Sequence, residues 1–137
     1  MDSQKTWGLI VEWRISLSSG KTHIVAGALT GLAIALVDNK KHKMVHNPVI
    51  APSLGALFGK LPDIIEPALH PHHRQFFHSK LVFTATTYGL YRTYHWEVQT
   101  SLEKIIRGLL LIAGSAYLSH LVFDSITPRG LPLIGKL

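Results

Sequence analysis

The sequence predicts an all-α fold: an antiparallel bundle of about four hydrophobic helices preceded by an N-terminal amphipathic segment. Three observations carry this expectation. The chain has 137 residues, 47% of them apolar and only 16% charged. That is one domain's length, too hydrophobic for a disordered chain, and it favours a body living on or in lipid. Its apolar residues fall into four stretches of helical length separated by polar, proline or glycine joints. Small residues at Gly27, Gly31 and Ala35 recur every four positions, a spacing that lets helices approach closely, above all in membranes. Residues 1–137 are therefore read as a single domain.

Residues 1–20 are mixed, with Trp7, Leu9, Ile10, Val11, Trp13 and Ile15 beside Lys5 and Arg14. Such a stretch suits a membrane interface, and equally a helix or strand covering a core. No sustained apolar run precedes a small-residue cleavage site, so no cleavable signal is expected. The first helix is expected over Thr22 to Val37, with Ser19 or Thr22 as cap and Asp38-Asn39-Lys40-Lys41 closing it. The second spans Pro48 to Gly59, where Pro48 and Pro52 suit opening turns and Gly59 with Pro62 suits the end. The third covers about 77–94; its threonines and aromatics would fit a strand, and its length favours a helix. The fourth covers about 101–124, with Glu103 and Lys104 in its first turns and Thr127-Pro128-Arg129-Gly130 beyond it. No stretch reaches the roughly 18 uninterrupted apolar residues of a clear membrane span. Basic residues divide six against eight between the two ends, which leaves the chain unoriented by charge.

Several chemistries are excluded. Without cysteine there is no disulfide scaffold, thiolate zinc site or cysteine nucleophile. No GxSxG, Walker A or GxGxxG element supports a serine hydrolase or nucleotide enzyme. The net charge of +6 is spread among the joints and forms no stripe, so nucleic acid is not an expected partner.

Histidine is the outlier, with nine copies against eight acidic residues. If the helices alternate, His23 starts the first helix, Asp63 follows the second, His73 and His78 precede the third, and His120 with Asp124 ends the fourth. All then lie at one end. Each also has a plainer account. His120 and Asp124 share a helix face as an i, i+4 pair, Asp63 suits a cap, His23 suits a first turn, and His70–Ser79 suits a solvated histidine-rich loop. His42, His46 and His95 fall at the opposite end and are expected at the surface. Convergence favours a metal. The six convergent groups, His23, Asp63, His73, His78, His120 and Asp124, are the candidate ligands of a divalent ion of zinc-like or manganese-like character with open coordination positions. A water acidified there would be the nucleophile. Arg74 would stabilise an anionic transition state, and Arg74, Asp63 and His73 form the expected catalytic group.

The ordered elements His23, Leu61-Pro62-Asp63, His73-Arg74, His78-Ser79, His120-Leu121-Val122-Phe123-Asp124 and Thr127-Pro128-Arg129-Gly130 resemble a known pattern. It is that of the YdjM-like family of inner-membrane-associated metal-dependent hydrolases: an N-terminal His, LPDxD, HRxxTHS and HxxxDxxTPxG. The likeness runs over about residues 22–132 and implies a bacterial inner-membrane location. The order of site residues is also similar to zinc-dependent phospholipase C. That similarity implies one zinc held by Asp63, His78, His120 and Asp124, and a second metal near His23 sharing Asp124. The phospholipase's further C-terminal ligands have no counterpart in the sequence, so a third metal is not implied. Ile65 stands where the pattern has its second acid, with Glu66 one place later; Phe77 replaces a threonine and Gln75 a glycine. The implied function is metal-dependent hydrolysis of a phosphoester, a membrane lipid being one candidate. The alternative is a membrane-associated binding or regulatory protein with a structural or vestigial metal, which Ile65 and Phe77 favour. The family's link to binding a repressor adds a candidate protein partner.

Overall fold

A computed structural model describes residues 7–10, 12, 19–67, 76–127 and 130–134. Every regular element among them is helical. Four long helices follow one another: α1 over Gly20–Val37, α2 over Ile50–Ile65, α3 over Lys80–Tyr94 and α4 over Ser101–Ser125. Residues 7–10 and 12 of the N-terminal segment are helical as well.

Short polar side chains start three of the helices, because the first turn leaves backbone N–H groups without partners. Ser19 accepts from the Thr22 amide at 3.2 Å, and Ser79 accepts from the Val82 amide at 3.3 Å. Thr100 and Glu103 form a reciprocal capping box ahead of α4. The second helix departs from expectation. It does not stop at Gly59 but continues through Pro62 to Ile65. Proline removes one donor, yet the helix resumes at once, with the Glu66 amide bonded to the Pro62 carbonyl at 2.9 Å. Gly59 and Pro62 are both buried, so their small or compact shapes serve packing. Asp63 consequently rides on the last turn of α2.

Glycine sets the spacing of α1 and α2. Gly27 lies against Gly55, Gly31 against Ala51, and Gly59 against the backbone of His23. Successive positions of α1 thus meet successively earlier positions of α2, and the two helices run in opposite directions. A Cβ on Gly27 would collide with the Gly55 carbonyl and lie 2.9 Å from the Gly59 Cα, and backbone cannot yield as a flexible side chain can. Gly27→Leu is therefore expected to destabilise the bundle by about 3 kcal/mol or more. Thermal unfolding in detergent would register it, and an unchanged midpoint would refute this packing.

The helix α4 packs on both α1 and α2, whereas α3 packs mainly on α4 and buries none of its residues. The tight core is thus α1, α2 and α4, built on Ala35, Val45, Ala51 and Ile112. Large aliphatics point outward: Val25, Leu29, Leu36 and Leu102 are 58 to 67% exposed. Small residues inside and large apolar residues outside suit helices in contact with lipid. At 18 and 25 residues, α1 and α4 are long and apolar enough to cross a membrane, about 27 and 37 Å of helix against a hydrocarbon core near 30 Å.

The end of the bundle away from His23 corrects one expectation. His46 is not a surface residue but is buried, with its Nε2 2.9 Å from Asp38 Oδ2. Arg107 Nη1 donates to both oxygens of Asp38, at 2.8 and 2.7 Å, and its Nη2 donates to the Tyr94 carbonyl at 3.2 Å. His42 is half-buried and His95 exposed. Burial pushes the Asp38 carboxyl up, but Arg107, the Lys40 amide and His46 together hold it below its ordinary value.

Candidate metal centre

At the other end, α1 contributes His23 in its first turn, α2 contributes Asp63 in its last, and α4 contributes His120 and Asp124 one turn apart. His78 comes from the segment just before α3, which is tied to α4 by Tyr117 donating to the Phe77 carbonyl at 2.8 Å. His23, His78, His120 and Asp124 are at most 1% exposed.

Four donor atoms face one another: His78 Nε2, His120 Nε2, Asp63 Oδ1 and Asp124 Oδ2. The two nitrogens are 3.2 Å apart. His120 Nε2 lies 3.3 Å from Asp124 Oδ2 and 3.5 Å from Asp63 Oδ1. His78 Nε2 lies 3.6 Å from each of those oxygens. With metal–ligand bonds of 2.0–2.1 Å, the edges of a tetrahedron are about 3.3–3.4 Å. Five of the six separations among these atoms lie near such edges, so the groups could hold a metal ion.

The outer partners reinforce that fit. His120 Nδ1 sits 2.8 Å from the Gly59 carbonyl, which only accepts, so Nδ1 carries the proton and Nε2 presents its lone pair. His78 Nδ1 sits 2.8 Å from Glu66 Oε2, with the same consequence for the neutral ring. Two imidazole lone pairs and two carboxylate oxygens thus converge, which is repulsive unless something positive lies among them. A proton on His78 relieves one contact. Burial lowers the affinity of His78 for that proton, but Asp63 and Glu66 outweigh burial and hold it above the ordinary value. Burial likewise raises Asp63, and His78 with Lys60 pulls it well below the usual carboxylate range. A divalent ion would serve all four lone pairs together.

His23 stands beside this group. Its ring stacks on His120 with centroids 3.7 Å apart, and its Nε2 is 3.4 Å from Asp124 Oδ1. Asp124 thus turns one oxygen to His78 and His120 and the other to His23. Ligand atoms of His23, Asp63 and His120 also fall within 4.8 Å of one another, as do those of His78, His120 and Asp124. The Nδ1 of His23 is buried with no hydrogen-bond partner among the described residues. These groups could hold a metal ion, and all five ligands that the resemblance implies are brought together. The expected catalytic residues Arg74 and His73 lie outside the described residues.

Two participants went unforeseen or half-foreseen. Lys60 Nζ holds Asp63 Oδ2 at 2.8 Å, turning Oδ1 toward the histidines. It is the one charged residue between Pro48 and Leu61, a signal available in the sequence. Glu66, which the sequence offers only as a stand-in for the missing acid at 65, fixes His78 and also accepts from the Phe77 amide at 3.0 Å. Glu66→Gln is expected to weaken metal affinity about 10- to 100-fold, measured by competition with a chromophoric chelator. Parental affinity would remove Glu66 from this role.

A family model for YdjM inner membrane proteins matches residues 19–134. No curated protein and no solved structure matches the chain. The match spans α1 to α4 with all five convergent residues, and two of those helices are long and apolar enough to cross a membrane. This is a membrane protein, and the chain belongs to the YdjM inner membrane protein family.

Proposed function

We propose that the protein is a membrane-embedded, zinc-dependent hydrolase that cleaves a phosphoester with water. The convergence of His78, His120, Asp63 and Asp124, whose nitrogens lie 3.2 Å apart and each within 3.3–3.6 Å of both carboxylates, carries the reading. A divalent ion bound there supplies Lewis acidity to water and to a phosphoryl oxygen. Asp63 is the one partly open ligand, 27% exposed against 1% or less for the others, so substrate approaches past it. Lys60 brings a cation to that same side, suited to an arriving phosphate, and Arg74 is proposed as the second cation for charge developing during attack. The water oxygen bonds to phosphorus, the ester P–O bond breaks, and the departing alcohol oxygen takes the proton.

Burial of four of the five convergent residues favours a second reading, a non-catalytic module stapled by a structural metal. One experiment separates the two: metal analysis of the purified protein, then hydrolysis of bis(p-nitrophenyl) phosphate before chelation, after it, and after zinc is restored. Activity that disappears and returns with zinc supports the hydrolase. Stoichiometric zinc without turnover supports the staple.

A further inference from the structure

We infer that the phosphoester taken at this centre belongs to a two-chain membrane phospholipid, its phosphate at the His/Asp cluster and its acyl chains in two grooves flanking the last turns of α4. The inference rests on the hydrolase reading above and names its substrate class.

Depth is the first observation. His23 is the fourth residue of α1 and Asp124 the last but one of α4. The cluster therefore lies within about 5 Å of the ends of the two helices long enough to cross a membrane. That is the level at which a bilayer changes from hydrocarbon to headgroup phosphate. A soluble phosphoester has no reason to be met there, whereas a lipid phosphate is held there by its own chains.

The second observation is a pair of grooves. One, of about 350 Å³, is lined by Lys21, Thr22, Val25, Ala26, Leu29 and Phe123. Its lining on α1 runs from Lys21 to Leu29, eight residues or about 12 Å inward from the helix end. The other, of about 510 Å³, is lined by Lys80, Phe83, Thr84, Val122 and Leu131 among others. Phe123 lines the first and Val122 the second, so the grooves lie on different faces of the turn that carries Asp124, about 100° apart around the helix. Thr22 adjoins His23 in sequence, and Lys80 follows His78 by two residues.

Charge is the third. Each groove has mainly apolar walls, with Thr84 and Ser125 among those of the larger, and one exposed lysine, Lys21 or Lys80, at the end near the cluster. A cation at the headgroup level with hydrocarbon-lined space leading inward matches an anionic amphiphile, phosphate outward and chains inward. Two grooves match two chains.

The test uses the zinc-loaded protein in detergent, with dioleoyl phosphatidylglycerol in mixed micelles and bis(p-nitrophenyl) phosphate as probes. Val25→Trp and Thr84→Trp place bulk in one groove each, and both residues are exposed, so neither change enters the core. Zinc content reports that each variant remains folded. Lipid retained per chain, counted by native mass spectrometry, and lipid hydrolysis should each fall about tenfold or more in either variant. Equal retention and hydrolysis in parent and both variants overturns the inference, since the lipid is then only bulk solvent. If the parent cleaves the soluble ester but neither retains nor cleaves the lipid, the lipid inference fails and the hydrolase reading stands. If zinc-loaded parent cleaves neither ester, both fail.

Discussion

Asp124→Asn will empty the metal centre and abolish turnover while leaving the helices assembled. The carboxylate serves two sides, with Oδ2 3.3 Å from His120 Nε2 and Oδ1 3.4 Å from His23 Nε2. Asparagine keeps the volume but replaces the anion with a neutral amide, one end of which now donates. Losing a direct anionic ligand should exceed the 10- to 100-fold cost typical of an outer partner, so zinc should be absent after purification. The packing of α1 on α2 through glycine, and the Asp38–Arg107 pair at the far end, do not depend on Asp124. Melting of the variant should therefore match that of the chelated parent, and turnover should be undetectable with zinc supplied. If the metal is instead a staple, the variant and the chelated parent should both melt far below the zinc-loaded parent. Zinc retained at the parental level would remove Asp124 from the ligand set.

Much of this architecture is local in origin, and so was legible. Uncharged Thr22–Val37 with serine ahead of it can hardly avoid a helix, and Thr100 three residues before Glu103 announces the start of α4. Alternation of such helices then gathers His23, Asp63, His78, His120 and Asp124 at one end without any geometry in hand. Pro62 misled because proline reads as a stop, although in the last turn of a helix it forfeits only one hydrogen bond. The modest packing of α3 was also hidden: its length says helix, but Thr, Tyr and Arg along it give no broad apolar stripe to bury. The partner of Asp38 was hidden most thoroughly, since Arg107 lies 69 residues away and nothing in either neighbourhood points to the other. His46 looked like a surface residue for the same reason. A buried histidine differs from an exposed one by its distant neighbours, and periodicity is blind to those.

That hidden pair supports the second large effect. Asp38→Ala will leave Arg107, 0% exposed, without the carboxylate that accepts from Nη1 at 2.7 and 2.8 Å. Removing one partner of a buried ion pair strands the other charge, at a cost of about 3–5 kcal/mol. The melting temperature should fall by roughly 10 °C or more. Asp38→Ala combined with Arg107→Met should recover much of the loss, because the stranded charge is gone and an apolar side chain takes its space. Acid should mimic the single change. The folded-state value of Asp38 lies below its ordinary one, so the unfolded chain binds its proton more readily. Its contribution is full above about pH 4–5 and is lost as pH falls through the folded value. The parent should therefore show a steeper acid-side decline in melting temperature than the double variant, in which this pair is absent. Zinc content at neutral pH should be unchanged in the double variant, since the pair and the cluster sit at opposite ends of the bundle. A single variant as stable as the parent, or a double variant less stable than the single, would show that Arg107 is not held by Asp38 alone.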